Sequence, residues 1–108
     1  MSARRFDVVV LGSGPGGEGA SMKAVKSGRK VCTVEQGALV GGACTHTATI
    51  PSKALRHAIQ RLMDVQKDHP EMRADLARHT TLKDMMRAAT NVVSKQVDLR
   101  TTFYERNR

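Results

Sequence analysis

A glycine-rich segment that directly follows a short apolar run constrains the fold more than any other part of this chain. Residues 8–11 read Val-Val-Val-Leu, and residues 12–17 read Gly-Ser-Gly-Pro-Gly-Gly. The β-branched run predicts a strand, and the glycines after it predict a tight turn. The small residues that follow predict a helix with Pro15 in its first turn, where a missing N–H needs no partner. The segment therefore indicates a strand–turn–helix unit.

Three spaced glycines give this turn the pattern of a dinucleotide-binding fingerprint. Gly12 permits a sharp exit from the strand, at a place where we expect a Cβ atom to clash. Gly14 allows the backbone to approach a pyrophosphate closely, and Gly17 allows the helix to pack tightly on the strand. The free amides at the start of such a helix carry partial positive charge and hold phosphate groups.

A carboxylate at the end of the second predicted strand completes the fingerprint. Residues 30–35 read Lys-Val-Cys-Thr-Val-Glu, and Glu35 stands eighteen residues after Gly17. We expect this carboxylate to accept two hydrogen bonds from an adenosine ribose and to repel a 2′-phosphate, which favours FAD or NAD over NADP at this site. An alternative is that the glycines only form a tight turn, but that interpretation leaves Glu35 unexplained.

The chain is basic, with 18 Lys and Arg residues against 10 Asp and Glu residues and a net charge of +8. Such a balance is typical of nucleic-acid-binding proteins. The basic residues are spread along predicted helices among acidic ones, however, and only 3% of the residues are aromatic. We therefore expect no nucleic-acid partner and attribute the charge to an anionic cofactor and to solvated surface.

The sequence also bears on location and on metal or disulfide chemistry. It contains no run of 18 apolar residues, and residues 1–5 lack the apolar core of a signal peptide. We therefore expect no membrane partner and a cytoplasmic protein. Two cysteines do not make a disulfide framework, and we expect Cys32 to be a buried, inert thiol. The four histidines lack the spacing of a metal site, so we expect none.

The predicted elements place the chain in the α/β class. They are a strand over 6–11, a helix over 14–27, a strand over 30–35, a loop over 36–42, a mostly helical stretch over 44–65 interrupted at Pro51, a loop over 67–80, and a long helix that follows a capping box at 81–84 and reaches residue 103 or beyond. Ser52 is expected to cap the middle helix. The pattern predicts the start of a doubly wound Rossmann-type domain, a β-α-β unit followed by two long helices. Because a two-stranded sheet is marginally stable alone, we expect this domain to be incomplete.

A second motif carries a family resemblance. Residues 41–46 read Gly-Gly-Ala-Cys-Thr-His, and residues 49–58 read Thr-Ile-Pro-Ser-Lys-Ala-Leu-Arg-His-Ala. Together with the glycine turn and Glu35, this motif resembles the flavoprotein disulfide reductases, the family of lipoamide dehydrogenase and glutathione reductase. Those enzymes carry two cysteines five positions apart here, followed at once by proline, serine and lysine. The resemblance implies that residues 1–108 are the N-terminal part of an FAD-binding domain, with no complete second domain.

The chain departs from that family pattern at the centre of its chemistry. Cys44 stands at the first cysteine position, but Thr49 stands at the second. Dithiol–disulfide exchange needs two sulfurs, so reduction of lipoamide, glutathione or thioredoxin is excluded on this interpretation. The same departure occurs in the soluble pyridine nucleotide transhydrogenases of that family, which the chain also resembles at residues 103–107. Thr47 and Ala48 differ from the aromatic–glycine pair expected there.

The resemblance implies an oxidoreductase that transfers hydride between NADPH and NAD through FAD. Its partners would be nicotinamide dinucleotides, and its full-length form a homo-oligomer. The residues implied for cofactor binding are Gly12, Gly14, Gly17, Glu35, Gln36, Gly41, Gly42, Cys44, Thr45 and Lys53. Lys53 is also the implied catalytic residue, because it resembles the family lysine beside flavin N5, where a cation stabilises negative charge on the reduced ring.

Other interpretations stay open. By pattern alone, Lys53 is a solvated helix lysine, and Cys44 is a retained, unreactive small residue. One alternative function is a flavoprotein reductase that passes electrons to a quinone or dye-like acceptor. Another is a catalytically silent truncated fragment, and we expect the isolated 108 residues to be inactive.

Overall fold

The computed structural model describes residues 3–107, and it has the α/β class that the sequence predicts. The elements are β1 (Val8–Leu11), α1 (Pro15–Lys26), β2 (Val31–Val34), α2 (Gly42–His46), α3 (Thr49–Asp68), α4 (Arg73–His79) and α5 (Leu82–Arg106). A 3₁₀ turn over Pro70–Met72 joins α3 to α4. Strand β1 begins two residues later than expected and ends at Leu11 as expected, whereas β2 is one residue shorter at each end. Helix α1 ends just before Gly28, which adopts a positive φ of 73°.

The two strands form a parallel pair, with α1 as the crossover between them. Val8 pairs with Val31 and Leu11 pairs with Val34, so both strands end at the same edge. The α1 helix is held against β2 by a 2.7 Å hydrogen bond between the hydroxyls of Ser21 and Thr33. Leu11 is 81% exposed at the carboxyl edge of the sheet, which leaves that edge open.

The helices after β2 form a long antiparallel pair. Helix α3 packs along α5, and the buried apolar side chains among residues 3–107 are Met22, Ala89 and Val97. Towards its C-terminal end, α5 reaches α1, where Arg100 Nε lies 3.1 Å from Glu18 Oε2. Met63 and Met86 on this pair are 56% and 49% exposed.

The predicted capping box at the start of α5 is confirmed. The Thr81 hydroxyl accepts a hydrogen bond from the Asp84 N–H at 3.3 Å, and Asp84 Oδ2 accepts one from the Thr81 N–H at 2.9 Å. This reciprocal pair fixes the start of the helix on its N-cap residue, and the Asp84 N–H also donates to the Thr81 carbonyl at 3.0 Å.

Three predictions about the middle of the chain are wrong. The segment 67–80 is not a loop, because it contains the 3₁₀ turn and α4. Pro51 does not interrupt a helix, because α3 begins at Thr49 and the proline lies in its first turn, where it displaces no hydrogen bond. Ser52 is not a cap, because the N-cap of α3 is Ala48.

Candidate functional site

The glycine turn between β1 and α1 lies at the carboxyl edge of the sheet. Gly12 has a φ of +94°, which side chains rarely tolerate, while a Cβ atom built there meets nothing within 4 Å. The expected clash at Gly12 is therefore wrong, and the backbone conformation is what requires glycine. At Gly17 the requirement is steric, because a Cβ atom would lie 1.9 Å from the Gly12 carbonyl oxygen. Helix α1 therefore packs directly on the turn.

The start of α1 has the form of an anion-binding site. Its N-cap is Gly14, which offers no side-chain hydrogen bond, and Pro15 follows it. The amides of the first helical turn therefore have no side-chain acceptor from the cap and carry the positive end of the helix dipole. Such a helix end favours a phosphate or another anion.

A second pair of glycines, Gly41 and Gly42, lies against this turn at the start of α2. Gly42 has a φ of +62°, and a Cβ atom on it would lie 2.8 Å from the Gly14 Cα. Gly41 has a φ of +119°, and a Cβ atom there would lie 2.7 Å from the Thr45 hydroxyl oxygen. The two motifs found in the sequence, residues 12–17 and 41–46, are therefore in contact through their backbones.

Glu35 and Ser13 form the polar centre of the site. Glu35 follows the last residue of β2, and its Oε2 accepts a 2.8 Å hydrogen bond from the Ser13 N–H and another from the Ser13 hydroxyl. Its Oε1 accepts a 2.8 Å hydrogen bond from the Gly37 N–H. Ser13 is fully buried, and its hydroxyl oxygen in turn accepts a 3.0 Å hydrogen bond from the Gly41 N–H. One serine thus links β2, the glycine turn and the start of α2.

These hydrogen bonds keep Glu35 ionised. The Ser13 hydroxyl makes the largest contribution, followed by the Gly37 and Ser13 amides, and together they lower the pKa of the Glu35 carboxyl from 4.5 to about 2. An ionised carboxylate offers about four acceptor positions. Three are in use here, so about one position is left for a ligand.

A shallow cleft of about 410 Å³ opens beside this carboxylate at the edge of the sheet. It is lined by Leu11, Gly12, Val34, Glu35 and Gln36. Ligands of open α/β sheets bind outside the carboxyl ends of the strands, where this cleft lies. The cleft therefore combines apolar walls with one charged acceptor.

Thr45 contributes a buried hydroxyl to the neighbouring part of the site. Its side chain is fully buried in α2, and its Oγ1 has no hydrogen-bond partner among residues 3–107. Because this hydroxyl has almost no accessible surface in the described structure, it packs against Gly41 and does not face a ligand cavity.

The remaining site residues predicted from the sequence lie around α2 and the start of α3. Cys44 is half-buried in α2, and Lys53 is exposed in α3. Thr49, at the second cysteine position of the family pattern, precedes Lys53 by one helical turn and shares its face.

Within the described residues, Cys44 and Cys32 are both free thiols, and Cys32 is half-buried rather than buried. No hydrogen bond links Lys53 to Glu35 in the described part of the chain.

The histidines contribute to local structure. His46 bonds the Val40 carbonyl at 2.9 Å, His69 lies 3.2 Å from Glu71, and His79 bonds the Asp75 carbonyl at 2.9 Å. Between residues 3 and 107, no group of three or more His, Cys, Asp or Glu side chains is arranged to hold a metal ion.

Two residues near the site were missed by sequence reasoning. Ser13 stands inside the glycine turn, and its only signal is a hydroxyl residue between two required glycines. Tyr104 of α5 lines a cavity of about 270 Å³ together with Ser13 and Glu35, and burial raises the pKa of its phenol. Tyr104 falls in the stretch 103–107 that carries part of the family resemblance, but its place beside Glu35 depends on where the far end of α5 packs.

A comparison with protein families matches residues 6–106 to the family described as pyridine nucleotide-disulphide oxidoreductase.

In the part of the chain that the structure describes, no helix is both long and apolar enough to cross a bilayer.

Several curated relatives match the chain along nearly its whole length. The soluble pyridine nucleotide transhydrogenase of Stutzerimonas stutzeri is 50% identical over 108 residues, and that of Ectopseudomonas mendocina is 48% identical over 108 residues. The Vibrio vulnificus protein of the same name is 48% identical over 105 residues, which are 97% of this chain. The chain spans only 22–23% of the length of these relatives. With the family match covering residues 6–106, the chain belongs to the pyridine nucleotide-disulphide oxidoreductase family.

Proposed function

We propose that this chain binds FAD and that the polypeptide to which it belongs transfers hydride between NADPH and NAD. The relatives that match it are named for pyridine nucleotide transhydrogenation. Because the matched part is 23% of the Stutzerimonas protein, the reaction is proposed for a longer polypeptide. Residues 1–108 then form the N-terminal part of its FAD-binding domain.

One observation carries this proposal: the Glu35 carboxylate is held at the carboxyl edge of the sheet, next to the uncapped start of α1. That arrangement offers an acceptor for a ribose hydroxyl on one side and amide donors for a pyrophosphate on the other. A single dinucleotide has both groups, so one ligand engages both features.

Three further observations support the fit of FAD. The cleft beside Glu35 has the apolar walls that suit an adenosine. A Cβ atom on Gly14 would still lie 4.0 Å from the nearest atom, so the glycine keeps space open above the helix start. Gly42 lies against the Gly14 backbone, so the second motif is close enough to line the same ligand as the first.

When bound, FAD supplies a ring system that accepts a hydride and returns it. The amides after Gly14 hold the pyrophosphate, while Gly12 and Gly17 give the turn its shape. Glu35 accepts one ribose hydroxyl through its remaining acceptor position, rather than the two predicted from the sequence, and Gln36 borders the same ribose.

The second motif supplies the other half of the site. By the sequence resemblance, Gly41, Gly42, Cys44 and Thr45 would hold the phosphates and the ribityl chain, Thr45 through its packing against Gly41. By the same resemblance, Lys53 would provide a cation near the ring that stabilises negative charge there. Thr49 cannot join Cys44 in a disulfide, so no sulfur pair competes for electrons.

Hydride transfer is tested with the FAD-loaded polypeptide, NADPH and thio-NAD, by following the absorbance of reduced thio-NAD. We expect transfer that requires FAD, and at least about a tenfold lower kcat in Lys53→Gln with FAD retained. Lys67→Gln, at an exposed position of the same helix, is the matched control and should match the wild type. A flavin-loaded wild type that transfers no hydride to thio-NAD contradicts the proposed reaction.

A flavoprotein reductase with a non-thiol acceptor is the second candidate. Thr49 favours it as much as it favours transhydrogenation, because both reactions bypass a sulfur pair. Replacing thio-NAD by a soluble quinone in the same assay separates them. Fast quinone reduction with no reduction of thio-NAD would select the reductase.

A further inference from the structure

Ser13 makes more contacts at the site than any packing role requires. It is fully buried, it gives Glu35 Oε2 two hydrogen bonds, and it receives one from the Gly41 N–H. An alanine or glycine at this position would still provide the amide but not the hydroxyl. The hydroxyl therefore has a specific relation to the carboxylate.

We propose that Ser13 is a positioning residue for the cofactor: its hydroxyl fixes the Glu35 carboxylate so that Oε2 stays on the glycine turn and Oε1 keeps an acceptor position for the ribose. This inference rests on the proposed FAD site. It makes the serine of the turn, and not only its glycines, a determinant of cofactor affinity.

The surroundings of Glu35 explain why its carboxylate must be held in one orientation. Glu35 stands just beyond β2, where the ladder no longer fixes the backbone, and a free glutamate side chain samples several rotamers. The Ser13 hydroxyl and amide restrain one oxygen, and the Gly37 N–H restrains the other. The ribose therefore meets an acceptor that is already oriented, and binding pays less ordering entropy.

The link to Gly41 couples the two halves of the site. The Gly41 N–H donates to the Ser13 hydroxyl at 3.0 Å, so the proton of that hydroxyl is directed to Glu35. Besides its hydrogen-bond donors, Glu35 shares a cavity with Tyr104 of α5, a phenol whose pKa is raised. The Tyr104 phenol is therefore uncharged at neutral pH and adds no charge beside the Glu35 carboxylate.

A double-mutant cycle of Ser13→Ala and Glu35→Ala tests the coupling. FAD affinity is measured by quenching of flavin fluorescence, and the Glu35 pKa by NMR of ¹³C-labelled glutamate carboxyls without FAD. The resonance absent from Glu35→Ala identifies Glu35. Ser27→Ala is the matched control, because its exposed hydroxyl bonds only the Lys23 carbonyl. Circular dichroism shows whether each variant is folded.

We expect Ser13→Ala to weaken FAD binding about tenfold and to raise the Glu35 pKa from about 2 towards 4.5. In the Glu35→Ala background, the same serine change should alter FAD affinity less than about twofold, since its partner is gone. The Ser27→Ala variant should resemble the wild type in both measurements.

Two results would overturn the inference while leaving FAD binding intact. One is a folded Ser13→Ala variant that binds FAD as tightly as the wild type. The other is an equal loss of affinity from Ser13→Ala in both backgrounds, which would make its effect independent of Glu35. If the wild type itself does not bind FAD, the proposed function is wrong, and this inference fails with it.

Discussion

The backbones of Gly14 and Gly42 approach each other asymmetrically. A Cβ atom on Gly42 would lie 2.8 Å from the Gly14 Cα, whereas a Cβ atom on Gly14 would lie 4.0 Å from the Gly42 Cα. Gly42 also has a positive φ, and Gly14 does not. The fold therefore requires glycine at Gly42. It does not require glycine at Gly14, where a ligand that needs the space would explain the residue.

Gly14→Ala is expected to leave the fold intact and to weaken FAD binding at least about tenfold, because a methyl group would occupy the path of the pyrophosphate. Circular dichroism and flavin fluorescence quenching measure the two properties. Gly42→Ala is the matched comparison and should lose stability as well as binding. Unaltered FAD affinity in Gly14→Ala would contradict the placement of the pyrophosphate.

Gly17→Ala is expected to lower the free energy of unfolding by at least about 3 kcal/mol, because its Cβ atom would lie 1.9 Å from a backbone oxygen that cannot move aside cheaply. Gly19→Ala is the control in the same helix, where a Cβ atom meets nothing within 4 Å. There alanine should stabilise by up to about 1 kcal/mol. Urea unfolding measures both, and equal stabilities would contradict the described packing of α1.

Acid stability should depend on Glu35. Its pKa is depressed to about 2 from 4.5, so its stabilising contribution is complete above about pH 4.5 and is lost as the pH falls towards 2. The urea midpoint of the wild type should therefore fall more steeply between pH 4.5 and 2 than that of Glu35→Gln, which does not titrate. Parallel pH profiles for the two proteins would show that Glu35 is not held by Ser13.

Thr81→Ala is expected to destabilise the protein by about 1 kcal/mol, because it removes the hydroxyl that accepts the Asp84 N–H at the start of α5. Thr102→Ala, at an exposed position of the same helix, is the control and should change stability by less than about 0.5 kcal/mol. Urea midpoints compare them. A larger effect of Thr102→Ala would contradict the capping role of Thr81.

The glycine geometry of the candidate site was predictable because glycine encodes unusual backbone conformations directly. Gly12 and Gly41 have positive φ, and Gly17 and Gly42 have neighbours that exclude a side chain. Such requirements leave a local trace in the sequence. The contact between Ser13 and Glu35 leaves none, because it depends on how the β1 turn and the end of β2 meet in three dimensions.

The helical region shows a different limit. Pro70 and the polar residues of segment 67–80 predict a loop, but Ala74, Leu76 and Ala77 are strong helix formers, and a proline often precedes a helix. The helix propensity of these residues therefore outweighs the polar composition of the segment. The exposed Met63 and Met86 show that helical spacing specifies which face a side chain shares but not what covers that face.

The proposal that Glu35 holds FAD is tested most directly by measuring FAD affinity with and without the Glu35 carboxylate. The protein for this measurement is the purified polypeptide to which the chain belongs. We expect the wild type to retain FAD as a yellow protein after gel filtration, and Glu35→Ala to bind FAD about tenfold to a hundredfold more weakly. A colourless wild type, or a change in affinity below about twofold in Glu35→Ala, would contradict it.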